Sequence, residues 1–257
     1  MRKLSLIFGM MLLIIVLGFN CSDDAATGMN EGDSEDDAFI AAKANVDTSM
    51  TEIDEDMIEA VDSIVIDIAN WGPTDYDSTS GWHYRYRIFE NNYWHKSVAD
   101  SFRFTDTEGE YQCHPDSITN QFERRMKKNH TYDSGIEDGP AWEKIRSRNM
   151  NWIGLADSIT TLNGDVYRHY WGQNFRRTFE HTMSCTLEGV LFETEDVLDH
   201  RPTHPFDGIL EGNLVTDKQL PNRDVHIEAE FAVTFYPDHY HVHLVSGDSY
   251  WDWDVYY

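Results

Sequence analysis

The chain has 257 residues and carries 46 Asp and Glu against 20 Lys and Arg, a formal net charge of −26. That length suits one large domain or two small ones. The charge argues against nucleic acid as a partner, because phosphates would be repelled, and against attachment to anionic membrane surfaces.

The N-terminus stands apart from the rest. Arg2 and Lys3 precede an apolar run from Leu4 to Phe19, and Cys21 follows. A basic start, a short apolar core and an early cysteine form a secretion leader. The run is shorter than the roughly 20 residues a bilayer helix needs. Met1 to Cys21 resembles a bacterial lipoprotein signal peptide, in which the cysteine is acylated and becomes the mature N-terminus. Leu17 stands one place earlier than is usual in such signals, and Asn20 replaces the customary small residue. The resemblance covers these 21 residues alone. It implies a signal peptide over 1–20, lipidation at Cys21, membrane attachment through the N-terminal lipid, and residence in the bacterial cell envelope, at the outer membrane or cell surface. Without acylation the protein would be secreted.

Residues 21–53 read as an acidic, disordered tether. Asp23, Asp24, Glu31, Asp33, Glu35, Asp36 and Asp37 meet no basic residue before Lys43, and the stretch holds too little apolar surface to fold. With Cys21 committed to lipid, Cys113 and Cys185 remain. In an oxidising envelope they either form a disulfide or stay two separate buried thiols. A bridge would close a loop of roughly 70 residues and stabilise by about 4 kcal/mol in the chain-entropy model.

From residue 54 to 257 the pattern is that of a folded domain. Met57, Val61, Ile64, Val65 and Ile68 follow helical spacing behind Asp54 as N-cap, with a strand over 63–69 as the rival reading. Asn70-Trp71-Gly72-Pro73 ends it. Trp82, Tyr84, Tyr86 and Ile88 alternate with His83, Arg85, Arg87 and Phe89, which predicts a strand, and a short strand follows over 101–105. Asp116 can cap a helix over 117–129, with Ile118, Phe122 and Met126 on one face and Arg124, Arg125, Lys127 and Lys128 near its C-terminal end, where cations complement the helix dipole. Residues 131–149 read as loop. Asn163-Gly164 signals a hairpin turn. Phe175, Phe179, Met183, Cys185 and Leu187 share one face of a long strand that Gly189 would bend. A polar loop over 199–205 and a strand over 208–216 follow.

The C-terminal stretch is the most regular. Val225, Ile227, Ala229, Phe231, Val233 and Phe235 alternate with polar residues, Pro237-Asp238 and Gly247-Asp248 mark two turns, and Tyr240, Val242, Leu244, Trp251, Trp253 and Val255 complete the pattern. Two-residue turns pair Phe235 with Tyr240, Val242 with Trp253 and Leu244 with Trp251, so every apolar set falls on one face. A one-residue slip would put one set in water. The fold class is therefore mainly β: a single antiparallel sheet domain, curved or partly closed, with one or two packed helices.

The chain contains no P-loop, nucleophile elbow, dinucleotide glycine pattern, Cys-x-x-Cys or His-Glu-x-x-His. One constellation has chemical reach. His239, His241 and His243 occupy alternate positions of one strand, with Asp252 and Asp254 on the next. Two imidazoles from one strand and a carboxylate from its neighbour suit a divalent metal such as zinc. The plainer reading is an exposed polar face of cross-strand pairs. Trp82, Tyr84, Tyr86, Trp94, Trp171, Trp251 and Trp253 either build the core with rings or stack a carbohydrate or protein partner. Together these features favour a non-enzymatic envelope lipoprotein with a binding or structural role and no cofactor. The alternative is a metal-binding protein or metal-dependent enzyme centred on the His strand.

Overall fold

The structure is a computed structural model, and it describes residues 75–198, 204–221 and 223–257 together with Ile40, Lys43, Ala44 and Val46. Cys21 and the helix expected over 54–68 lie outside the described residues. The strands are β1 (Asp75–Asp77), β2 (Trp82–Glu90), β3 (Trp94–Asp106), β4 (Tyr111–Gln112), β5 (Thr119–Asp133) and β6 (Ala141–Ile153). They continue as β7 (Ile159–Asn174), β8 (Arg177–Glu193), β9 (Asp207–Leu220), β10 (Arg223–Phe235), β11 (His239–Ser246) and β12 (Ser249–Tyr256). A five-residue helix, α1 (Thr194–Leu198), joins β8 to the segment before β9.

All twelve strands form one antiparallel sheet in near-sequential order, with β4 paired to β3 off the main path. The sheet is not closed: β1 and β12 are its two edges. Such a meander needs only hairpin connections between neighbours. Among the described residues no helix is long and apolar enough to cross a membrane.

One face of the sheet is buried. On β10 to β12 it carries Ile227, Ala229, Phe231, Val233 and Phe235, then Val242 and Leu244, then the half-buried Trp251 and Trp253. The expected register is present: Phe235 pairs with Tyr240, Val242 with Trp253 and Leu244 with Trp251. On β3, β5 and β6 the same face holds Phe102, Phe104, Phe122 and Trp152, all at most 1 % exposed. Phe104 and Phe122 stack at 5.1 Å. Burying a ring or aliphatic side chain of this size contributes about 1.5–3 kcal/mol relative to leaving it in water.

Several expectations are corrected. Residues 117–129 are not helical but lie mostly in β5, and much of 131–149 is strand in β5 and β6. Ile118, Phe122 and Met126 are four apart, a spacing that satisfies a helix and a strand alike. Asn163-Gly164 is no hairpin turn; it sits inside β7, where the register slips between Leu162 and Gly164. There Asn163 Oδ1 accepts the Gly189 N–H at 2.8 Å. Gly189, at φ +60°, lies on the β8 side of this slip, where β8 carries one more residue than β7 and than β9, a bulge. Phe175 leaves the expected strand face for the β7–β8 turn, exposed and at φ +54°. Cys113 and Cys185 are both free thiols, the first exposed and the second buried on β8. Most of the stretch expected as tether, 21–53, lies outside the described residues; of those described, Lys43, Ala44 and Val46 fall within the unit of residues 41–257.

Candidate functional site

The outer face is polar, and the predicted His–Asp pairs lie on it. His241 faces Asp254 and His243 faces Asp252 across β11 and β12. His241 Nδ1 lies 2.8 Å from Asp254 Oδ1, and His243 Nδ1 lies 2.7 Å from Asp252 Oδ1. His226 on β10 makes the same contact with Asp217 on β9 at 2.7 Å. His239 instead turns to Asp238 beside it, at 2.7 Å, and stacks on Tyr236. The hydrogen bond to Asp254 raises the His241 pKa, reinforced by Asp252. The bond to Asp217 raises that of His226. The bond from His243 lowers the Asp252 carboxyl. The pairs are linked into a ladder: His241 Nε2 also lies 3.4 Å from Asp252 Oδ1, and His239 Nε2 lies 3.9 Å from Asp254 Oδ1. Among the described residues no group of three or more His, Cys, Asp or Glu is placed to hold one metal ion.

Beside the ladder the outer face sinks into a groove of about 750 Å³. It crosses β6 to β11 and is lined by Ser147, Asn149, Asp165, Tyr167, Ser184, Thr186, Glu211 and Asn213, with His243 at its end. Two internal hydrogen bonds order the wall: Ser184 to Asn213 at 2.5 Å and Thr186 to Asp165 at 3.1 Å. A second hollow of about 370 Å³ shares Ser147 and Asn149 and continues to Arg125, Lys127, Tyr84 and Tyr86 on β5 and β2. The two adjoin at Ser147 and Asn149, with Arg125, Lys127 and Asp75 lining the second and Glu211 and Glu230 the far end of the first. Gly212 lies beneath the first because no side chain fits: a Cβ there would stand 2.7 Å from Phe231 Cζ.

The inner face holds the other unusual chemistry. In register, β2 brings Arg85 and Arg87, β3 brings Lys96, β5 brings Arg124 and Lys128, β6 brings Lys144, Arg146 and Arg148, and β7 brings Arg168. Against these nine cations the same stretch of face carries the carboxylate of Asp100. Arg124 is 1 % exposed, Arg148 2 % and Arg168 6 %. Arg124 grips Asp100 through two bonds of 2.9 Å, and Arg85 holds it from the other side. Burial opposes the charge on Asp100, but these guanidiniums outweigh it and hold the carboxyl below its ordinary range. Toward one end of the strands lies a ring cluster: Trp94 packs on Tyr132 at 4.8 Å and on Trp142 at 5.3 Å, and His130 meets Trp142 at 4.7 Å. Burial lowers the His130 pKa, and Lys96 and Lys144 lower it further.

The structure thus brings His241 with Asp254 and His243 with Asp252, and it leaves His239 to a different partner. The inner cations and the outer groove had no readable signal as a site. Alternate cations at 144, 146 and 148 are the one clue to the former. No family model, no curated protein and no solved structure matches this chain.

Proposed function

We propose that the protein is a non-enzymatic cell-envelope lipoprotein, anchored through Cys21, whose sheet domain binds a polyhydroxylated ligand, a saccharide chain, in the groove of the outer face. The observation that carries the reading is the groove itself. Its walls are hydroxyl, carboxamide and carboxylate side chains flanked by the rings of Tyr167, Tyr84 and Tyr86. Such a lining matches sugar hydroxyls with paired donors and acceptors, and ring faces cover the apolar side of a sugar. His243 of the His–Asp ladder lies at one end of the groove.

Two measurements test the two halves. Intact mass of the membrane-extracted protein is expected to show a diacylglyceryl group on Cys21, and an unmodified Cys21 in the mature chain would remove the anchor. Saturable binding of an oligosaccharide, weakened at least tenfold in Tyr167→Ala, is expected for the groove. Unchanged affinity in that variant would remove the site.

A further inference from the structure

We infer that the saccharide is acidic at one end: a sugar unit bearing a carboxylate sits in the hollow between β2 and β6, and Arg125 and Lys127 hold that carboxylate. The inference rests on the saccharide reading of the outer groove and narrows it.

Register sets the geometry. On the outer face Arg125 and Asn149 lie in the row that starts at Tyr84, and Lys127 and Ser147 lie in the row that starts at Tyr86. Residues two apart on a strand stand roughly 7 Å from each other, so the two cations occupy neighbouring rows at that spacing. A carboxylate between them offers one oxygen to each, at the roughly 2.8 Å of a charge-assisted hydrogen bond. Between these cations and the exposed rings of Tyr84 and Tyr86 stand Ser101 and Ala99 on β3. Their small side chains leave an open floor two strand spacings wide, roughly 10 Å. A sugar ring lies on that floor with its carboxylate toward β5 and its apolar side against the tyrosines.

Charge selects the ligand. Arg125 and Lys127 are both exposed. The Arg125 guanidinium lies 4.6 Å from the ring centre of Trp82, a contact that positions the cation without neutralising it. Arg103, 4.9 Å from the same ring, is already neutralised by Glu123. Among the described residues no carboxylate forms an ion pair with Arg125 or Lys127. Asp75 lines the same hollow, but it pairs with Tyr84 and stands three strand spacings from β5, roughly 14 Å. Two exposed cations with no acid beside them stand out in a chain of net charge −26. The rest of the ligand is neutral for the same reason. Asp165, Glu211 and Glu230 line the adjoining hollow, where further carboxylates on the ligand would meet like charge.

The test compares trigalacturonate with its trimethyl ester, which keeps the rings and loses the charge, by calorimetric titration of the mature full chain. The acid is expected to bind about tenfold more tightly than the ester at low salt, and the margin is expected to shrink as salt rises. Lys127 is exposed, so Lys127→Gln is expected to leave the fold intact and to cut the margin to about threefold or less, whereas Lys127→Arg keeps it. Equal affinity for acid and ester overturns the inference and leaves the saccharide reading standing. A margin that survives in both Lys127→Gln and Arg125→Gln assigns the carboxylate to other residues and overturns it too. If neither trisaccharide binds, the inference falls, and titration with a neutral hexasaccharide decides whether the saccharide reading falls with it.

Discussion

Arg124 and Asp100 meet through two parallel hydrogen bonds of 2.9 Å inside the sheet, with the Arg124 side chain 1 % and the Asp100 side chain 0 % exposed. Removing one member of such a pair leaves an uncompensated buried charge. Asp100→Asn is therefore expected to cost about 3–5 kcal/mol in urea unfolding. A loss under about 1 kcal/mol would mean that the carboxylate carries little of the local charge balance.

The same pair sets an acid response. The Asp100 carboxyl is depressed in the folded protein, so its contribution to stability is complete above the unfolded carboxylate pKa of about 3.9 and fades as pH falls through the lower folded value. Thermal melts between pH 2 and 6 are expected to show a steeper acid loss in the wild type than in Asp100→Asn. Parallel curves would contradict this.

His241 works with the opposite sign. Its pKa is raised by the Asp254 hydrogen bond. The stabilisation is fully present below the unfolded value of about 6.5 and is lost as pH climbs through the folded pKa. The pair is partly exposed, so solvent keeps the effect small. NMR titration is expected to place His241 above an unstructured histidine, with the upward shift abolished in Asp254→Asn. A normal His241 titration in the wild type would refute the pairing.

The meander from Val225 to Tyr257 was legible because its inward positions are apolar throughout, so alternation and turn residues agreed on one register. Phe235 opposite Tyr240 and His243 opposite Asp252 both follow from that. The middle of the sheet was not legible because its inward positions are cations. Arg124 and Lys128 on β5, and Lys144, Arg146 and Arg148 on β6, broke the apolar alternation and left the four-residue spacing of Phe122 and Met126 to suggest a helix. Asn163-Gly164 misled because a pair that favours a hairpin turn here lies opposite the β8 bulge, where Asn163 Oδ1 accepts the Gly189 N–H. The outer groove gave no signal because it gathers one or two polar residues from each of six strands far apart in sequence.

The two cysteines differ in reactivity. Burial pushes the Cys185 thiol up to about 12, whereas Cys113 is exposed. A thiolate-selective reagent such as iodoacetamide is expected to modify Cys113 in the native chain and Cys185 only after unfolding. Equal native labelling of both would place Cys185 outside the core.

Gly212 tests how closely the sheet is packed beneath the groove. A Cβ there would stand 2.6 Å from Ser184 O and 2.7 Å from both Cys185 Cβ and Phe231 Cζ. Gly212→Ala is expected to destabilise by about 1–3 kcal/mol through overpacking. Neutral stability would mean that β8 and β10 stand farther from β9 than the structure places them.

Saccharide binding in the outer groove is the claim on which the functional reading rests, and a side-by-side titration with neutral hexasaccharides and with a hexagalacturonate tests it most directly. Amide shifts in ¹⁵N-labelled protein are expected to saturate for at least one of these probes. They are expected to cluster at Asn149, Tyr167, Thr186 and Asn213, and to vanish in Tyr167→Ala while its urea midpoint stays unchanged. No saturable response to any probe, or saturable shifts confined to residues away from the groove, would contradict the account.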